Sequence, residues 1–130
     1  MDANAMAGRC PRSKPLGLAR LERHRLAVMR EGWLTAVRNP SSAVHGVLWD
    51  LALSDIPALD RHESLSQGLY TKVTQPVIAE RSPKQAIVYF GANSGPGVLR
   101  PAYIAEVLAA ARSRRLPEEG VEELEQLARR

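Results

Sequence analysis

A single cysteine, Cys10, in 130 residues excludes an internal disulfide framework and fits a reducing cytoplasm. No apolar run approaches the roughly 18 residues that cross a bilayer, and the longest, 107–111, suits one side of an amphipathic helix. Met1-Asp2-Ala3-Asn4 opens on an acid with no apolar stretch behind it, so no secretory signal is expected. Repeats and low-complexity tracts are absent as well. What remains is ordinary globular composition, 45% apolar and 25% charged, which excludes disorder of the whole chain. One domain over residues 1–130 is expected, in the cytoplasm and without a membrane partner, burying roughly two-thirds of its unfolded surface.

Aromatics are scarce, at 5%, and this bears on the net charge of +4. All the cations but Lys14, Lys72 and Lys84 are arginines, and they are spread from Arg9 to Arg130. The densest group, Arg112, Arg114 and Arg115, falls at the end of an expected helix, where cations complement the dipole. Phosphate tracking calls for a contiguous basic stripe with aromatics for base stacking. Neither is present, so no nucleic-acid partner is expected.

Local signals give an order of elements. Asp2 caps a short helix over residues 2–8, closed by Gly8. Short strands are expected over 16–21, 24–29 and 33–37, with Asn39-Pro40-Ser41-Ser42 as a turn before the clearest strand, 43–51. There Val47, Trp49 and Leu51 line one face and Val44, Gly46 and Leu48 the other, so both faces are expected to be covered. Ser54 is placed to cap a short helix over 55–62. Strands follow over 69–79, where Pro76 implies an edge or a bulge, and over 85–90. After a loop over 91–101, residues 101–114 put Tyr103, Ile104, Val107, Leu108 and Ala111 along one helical stripe. Pro117 then opens a last helix, with Glu118 and Glu119 near its positive end. The fold class expected is α+β, a small, mainly antiparallel β-barrel with flanking helices.

Few residues present themselves for chemistry. His24, His45 and His62 are widely spaced, with none of the helical i, i+3 or i+4 pairing of a metal site, so no metal is expected. There is no G-x-S-x-G elbow, and Cys10 before Pro11 reads as a small residue at a helix end. The loop Gly91-Ala92-Asn93-Ser94-Gly95-Pro96-Gly97 lacks the Gly-Lys-Ser/Thr ending of a P-loop and reads as a connection between strand and helix. Glu63, just past the mid-chain helix, has two readings. Such a carboxylate is ordinarily a solvated helix-end charge. It becomes a general acid/base when desolvation raises its pKa above the usual ~4.3.

Three stretches bear on that choice. Ala43-Val44-His45-Gly46-Val47-Leu48-Trp49-Asp50-Leu51 resembles the central V-x-G-V-L-W/Y-x-L strand of the gamma-glutamylcyclotransferase-like family. Asp60-Arg61-His62-Glu63, followed by Gly68-Leu69-Tyr70, resembles its L-D-x-x-E-G loop and the next strand. Arg100-Pro101-Ala102-Tyr103 and Leu116-Pro117 resemble its S-P-x-Y helix start and G-L-P helix break. The opening, through Arg9-Cys10-Pro11, is similar to its first helix. The likeness runs over nearly the whole chain in the right order. Two departures stand out. Met1 falls where the residue after the family's Y-G-S-N loop would be, so that strand and loop are expected upstream of Met1. Ser64 also replaces the glycine after the family's glutamate, and serine tolerates positive φ less well.

The resemblance implies an enzyme that needs no cofactor and acts on a small γ-glutamyl substrate. The substrate's own α-amino group attacks its γ-amide carbonyl, giving 5-oxoproline and a free amine or amino acid. Glu63 matches the family's glutamate and is implied as the catalytic proton shuttle. Tyr103 matches the tyrosine that contacts substrate, and Tyr89 and Tyr70 are further candidates to line the cavity. For those two, core packing with a satisfied hydroxyl remains an equal reading. The alternative function is a non-catalytic relative that binds a small molecule or partner in the same cavity.

Overall fold

A computed structural model describes residues 12–50, 52–62 and 67–129. The helix expected over 2–8 lies outside these residues, as do Cys10, Glu63 and Ser64.

Apolar residues alternating with charged ones make the chain extended from Lys14 onward. The segments expected as separate strands over 16–21 and 24–29 are one strand, β1 (Lys14–Val28). What separates them is a bulge: Glu22 pairs with Ala43 and His24 with Arg38, while Arg23 between them takes φ 61°. The partner strand behaves alike, since β2 (Leu34–Asp50) runs through the expected turn at 39–42. The turn chemistry is used locally instead. Asn39 Oδ1 accepts from the Ser41 backbone N–H at 3.1 Å and from its hydroxyl at 3.0 Å. This Asx turn lets residues 39–42 stand opposite Arg23 without ending the ladder. The short strands expected in this half of the chain are therefore two long, bulged ones.

A 3-10 turn (Leu53–Asp55) leads into α1 (Ile56–His62). Ser54 does not cap it. It lies inside the 3-10 turn, and Ala52 occupies the cap without a side-chain hydrogen bond. Buried Asp55 does the anchoring: its Oδ2 accepts from the Arg12 N–H at 2.9 Å and the Ser13 hydroxyl at 3.0 Å. Ser13 Oγ in turn accepts from the Ala52 N–H at 3.1 Å, which ties the start of β1 to the approach to α1.

β3 (Tyr70–Ala79) and β4 (Ser82–Gly91) form a hairpin closed by Glu80 and Arg81, at φ 50° and 76°. A two-residue turn of type I′ needs left-handed backbone at both positions. The strand order is β2-β1-β3-β4 with every neighbouring pair antiparallel. β1 and β3 meet only at Ala19–Ala79 and Arg20–Ile78. Pro76 sits beyond that contact in a stretch of β3 not paired to β1, the edge situation a proline requires. The sheet curls until its outer strands touch, where the Gly91 N–H donates to Thr35 Oγ1 at 2.8 Å. A single side-chain bond is not a ladder. The expected α+β class holds, but among the described residues the sheet is curled and open, and "barrel" describes it loosely.

The main core lies between β1 and β2 and two C-terminal helices, α2 (Pro101–Ser113) and α3 (Glu118–Ala128). Val28, Leu99, Ile104, Ala111, Leu116, Leu124 and Leu127 form it, with Tyr103, Val107 and Leu108 of the expected stripe packed alongside. Gly120 lets α3 lie directly on β2, because a Cβ there would come within 2.9 Å of His45 Cβ. Between the helices the Leu116 N–H returns to Ala111 O at 3.0 Å and the Arg115 N–H to Arg112 O at 3.1 Å. This is the Schellman pattern, and it forces Arg115 to φ 56°, a position normally held by glycine. No helix among the described residues is long and apolar enough to cross a membrane.

These two features act in opposite directions on stability. Arg115→Gly relieves left-handed backbone strain and should raise unfolding free energy by about 1 kcal/mol. Leu124→Ala leaves a hole at a fully buried core position and should cost ~2–5 kcal/mol. Urea midpoints for the two variants check both signs; a lower midpoint for Arg115→Gly would contradict the strain assignment.

Candidate active site

In the β3–β4 register Lys72 stands directly opposite Tyr89, and Tyr70 lies two residues from Lys72 on the same face. Phe90 points to the other side of the sheet and stacks on buried His24, ring centroids 5.6 Å apart. The Lys72–Tyr89 pair grips one carboxylate from above. Tyr89 Oη donates to Asp60 Oδ1 at 2.5 Å, and Lys72 Nζ donates to Oδ2 at 2.9 Å and to Oδ1 at 3.2 Å. Asp60 lies in the last turn of α1, so these bonds pin the end of that helix to the hairpin. They also hold the Asp60 carboxyl below its ordinary pKa: the tyrosine hydrogen bond contributes most and the lysine next, against a smaller opposing effect of burial.

A second set of contacts gathers at the first residue of β2. Tyr70 Oη donates to the Leu34 carbonyl at 2.9 Å, and the Leu34 N–H donates to Tyr103 Oη at 3.3 Å. Tyr103 comes from the first turn of α2, which starts at Pro101 because proline suits the first helical position. Its ring meets Trp33 edge-on at 4.9 Å, and the Arg100 guanidinium lies 4.4 Å from the Trp33 ring centre. The turn before Trp33 is fixed by the glycine-rich loop. Asn93 Oδ1 accepts from the Arg30 N–H at 2.8 Å, and Asn93 Nδ2 donates to Glu31 Oε1 at 3.0 Å. That second bond is the main reason the Glu31 carboxyl lies below its ordinary pKa. The loop thus serves as the structural connection expected of it.

Of the candidates named from sequence, Tyr70 and Tyr103 come together on Leu34, and Tyr89 shares the hairpin face with Tyr70 while bonding to Asp60. Glu63, the residue after α1, lies outside the described residues. Asp60 and Lys72 were not singled out for a role from sequence. The signal for Asp60 was its spacing, one helical turn ahead of Glu63; Lys72 has none without the strand register. The described residues hold no group of three His, Cys, Asp or Glu able to take a metal ion. His24 and His45 are far apart in the fold: His24 packs on Phe90, and His45 lies on β2 against α3, 3.7 Å from Glu119.

The lowered Asp60 pKa gives a testable pH dependence. A carboxyl depressed in the folded state contributes stability that is full above its unfolded pKa of about 3.9 and is lost as pH falls through the folded value. Tyr89→Phe removes the larger cause. The variant should therefore be less stable than the parent at neutral pH, and the deficit should shrink as both are acidified toward about pH 2. Denaturant midpoints across that range decide it. A deficit that does not change with pH would mean that Tyr89 acts through packing alone.

The AIG2-like family's sequence model matches residues 43–124, the stretch from mid-β2 into α3. No curated protein matches the chain in sequence. Among solved structures, a gamma-glutamyl cyclotransferase superposes with a TM-score of 0.85 at 22% identity, covering 95% of this chain and 79% of its own. An uncharacterized protein from Homo sapiens gives 0.84 at 23% identity, with coverages of 92% and 78%. YkqA from Bacillus subtilis gives 0.81 at 18% identity, with 97% of this chain matching 48% of that larger one. Identities of this size speak for a common fold.

Proposed function

The chain belongs to the AIG2-like family, and from that premise we propose that it is a γ-glutamyl cyclotransferase acting on a small γ-glutamyl amide. The observation that carries the reading is the grouping at one end of the β3–β4 hairpin. A single face holds Tyr70, joined to Tyr103 through Leu34, and the Lys72–Tyr89 pair, joined to the last turn of the helix that leads into Glu63.

The reaction asks little of a protein. A γ-glutamyl substrate held curled brings its α-amino nitrogen to the γ-carbonyl carbon, and that positioning supplies much of the rate. The nitrogen forms the new ring bond, the amide C–N bond breaks, and 5-oxoproline leaves with a free amine. One carboxylate takes the proton from the attacking nitrogen and returns it to the departing one, the role we assign to Glu63. Tyr103 is assigned to substrate contact, with Tyr70 bracing the same residue of β2 and Tyr89 acting through Asp60 on the helix ahead of Glu63. The developing oxyanion needs N–H donors within hydrogen-bond reach.

Incubation of the purified protein with γ-glutamyl-alanine should release 5-oxoproline. Glu63→Gln should lower that rate by ~10²–10⁴-fold, as for loss of a general acid/base. Tyr103→Phe should lower it by about tenfold, the loss of one hydrogen bond. Release that survives Glu63→Gln unchanged would remove Glu63 from the mechanism. A protein that binds the dipeptide and never turns it over would be the non-catalytic relative instead.

A further inference from the structure

Away from the tyrosines, β1 and β3 part company. Beyond the contacts at Ala19–Ala79 and Arg20–Ile78 a cleft of about 250 Å³ opens between them, lined among others by Glu22, Arg23, His24, Arg38, Gln75 and Pro76. We propose that this cleft binds a small oxyanion-bearing molecule, a phosphate monoester or a carboxylate, between the guanidinium groups of Arg23 and Arg38. The proposal is independent of the cyclotransferase reading.

The charge in the cleft is unbalanced. Glu22 is its acidic residue, and its carboxylate is engaged by Arg20, Nη2 to Oε1 at 3.1 Å and Nε to Oε1 at 3.2 Å. Neither Arg23 nor Arg38 forms an ion pair among the described residues. This contrasts with Arg112, which pairs with Glu125, and Arg114, which lies over the Trp49 ring. Arg23 and Arg38 both line this one cleft, and guanidinium forks bind phosphate or carboxylate oxygens bidentately.

The backbone adds a second, independent sign. Arg23 holds φ 61° at the bulge, a left-handed position where glycine is the usual occupant. The other left-handed side chains among the described residues sit in the β3–β4 turn, at Glu80 and Arg81, or at the end of α2, at Arg115. Arg23 alone is inside a strand. Strained residues of this kind concentrate where a side chain must be aimed at a ligand. The bulge also orients His24. Its Nδ1–H donates to the Glu22 carbonyl at 2.8 Å and its ring rests on Phe90, which fixes the imidazole of this cleft-lining residue. Gln75 lines the cleft from the facing strand.

Arg23→Gly makes an unusually clean test, because it removes the guanidinium and the backbone strain together and should fold at least as well as the parent. The full chain is titrated with inorganic phosphate, with potassium chloride at matched ionic strength as control. Phosphate should raise the melting temperature in proportion to the logarithm of one plus the ratio of phosphate concentration to Kd, with a Kd in about the millimolar range, and chloride should not. Arg23→Gly and Arg38→Gln should each weaken phosphate about tenfold or more, while Tyr103→Phe leaves it unchanged. Acetate in place of phosphate separates the sources: a tighter Kd for acetate assigns a carboxylate ligand, a tighter one for phosphate a monoester. Equal effects of phosphate and chloride would overturn the proposal. So would phosphate affinity kept within about twofold in both arginine variants.

Discussion

The arrangement of this molecule turns on one carboxylate. Asp60 accepts one hydrogen bond from the Tyr89 hydroxyl and two from Lys72, residues that face each other across the β3–β4 ladder. α1 is only 7 residues long and would be marginal by itself. Its hold on the sheet comes from this clamp at one end and from Asp55 at the other, where a buried carboxylate collects the start of β1. Both ends of a helix too short to be stable alone are thus fixed by hydrogen bonds to acids.

The larger packing job falls to α2 and α3, which cover β1 and β2 with leucine, valine and alanine. The two halves meet at Leu34. Tyr103 reaches it from the α2 side and Tyr70 from the hairpin side, so the core and the candidate site are joined through hydroxyl groups on rigid rings. Rings suit that task, because two side-chain torsions are all that must be frozen.

How much of this could be read beforehand depended on whether a signal was local. The stripe from Tyr103 to Ala111 and the proline at the start of α2 are properties of one helix, and they came out as expected. The strand divisions at Arg23 and at 39–42 did not, since a turn motif such as Asn-Pro-Ser-Ser reads the same whether it reverses the chain or is taken up by a bulge. Only the partner strand, far off in sequence, decides. The β3–β4 turn was equally hidden, for Glu80-Arg81 carries neither the glycine nor the asparagine that normally marks left-handed backbone. Ser54 has cap chemistry, but the chain enters α1 through a tighter turn and places Ala52 at the cap instead. Asp60 had a local signal in its spacing from Glu63, but Lys72 had none, because its place opposite Tyr89 depends on register.

Leu34 has its N–H taken by one tyrosine and its carbonyl by another. A guest that draws on either phenol therefore competes with a main-chain bond, and loosens or tightens the first rung of β2 as it enters. Any ligand on either ring would be coupled to the opening of that strand through a single fastening, and the peptide groups around Leu34 would register it.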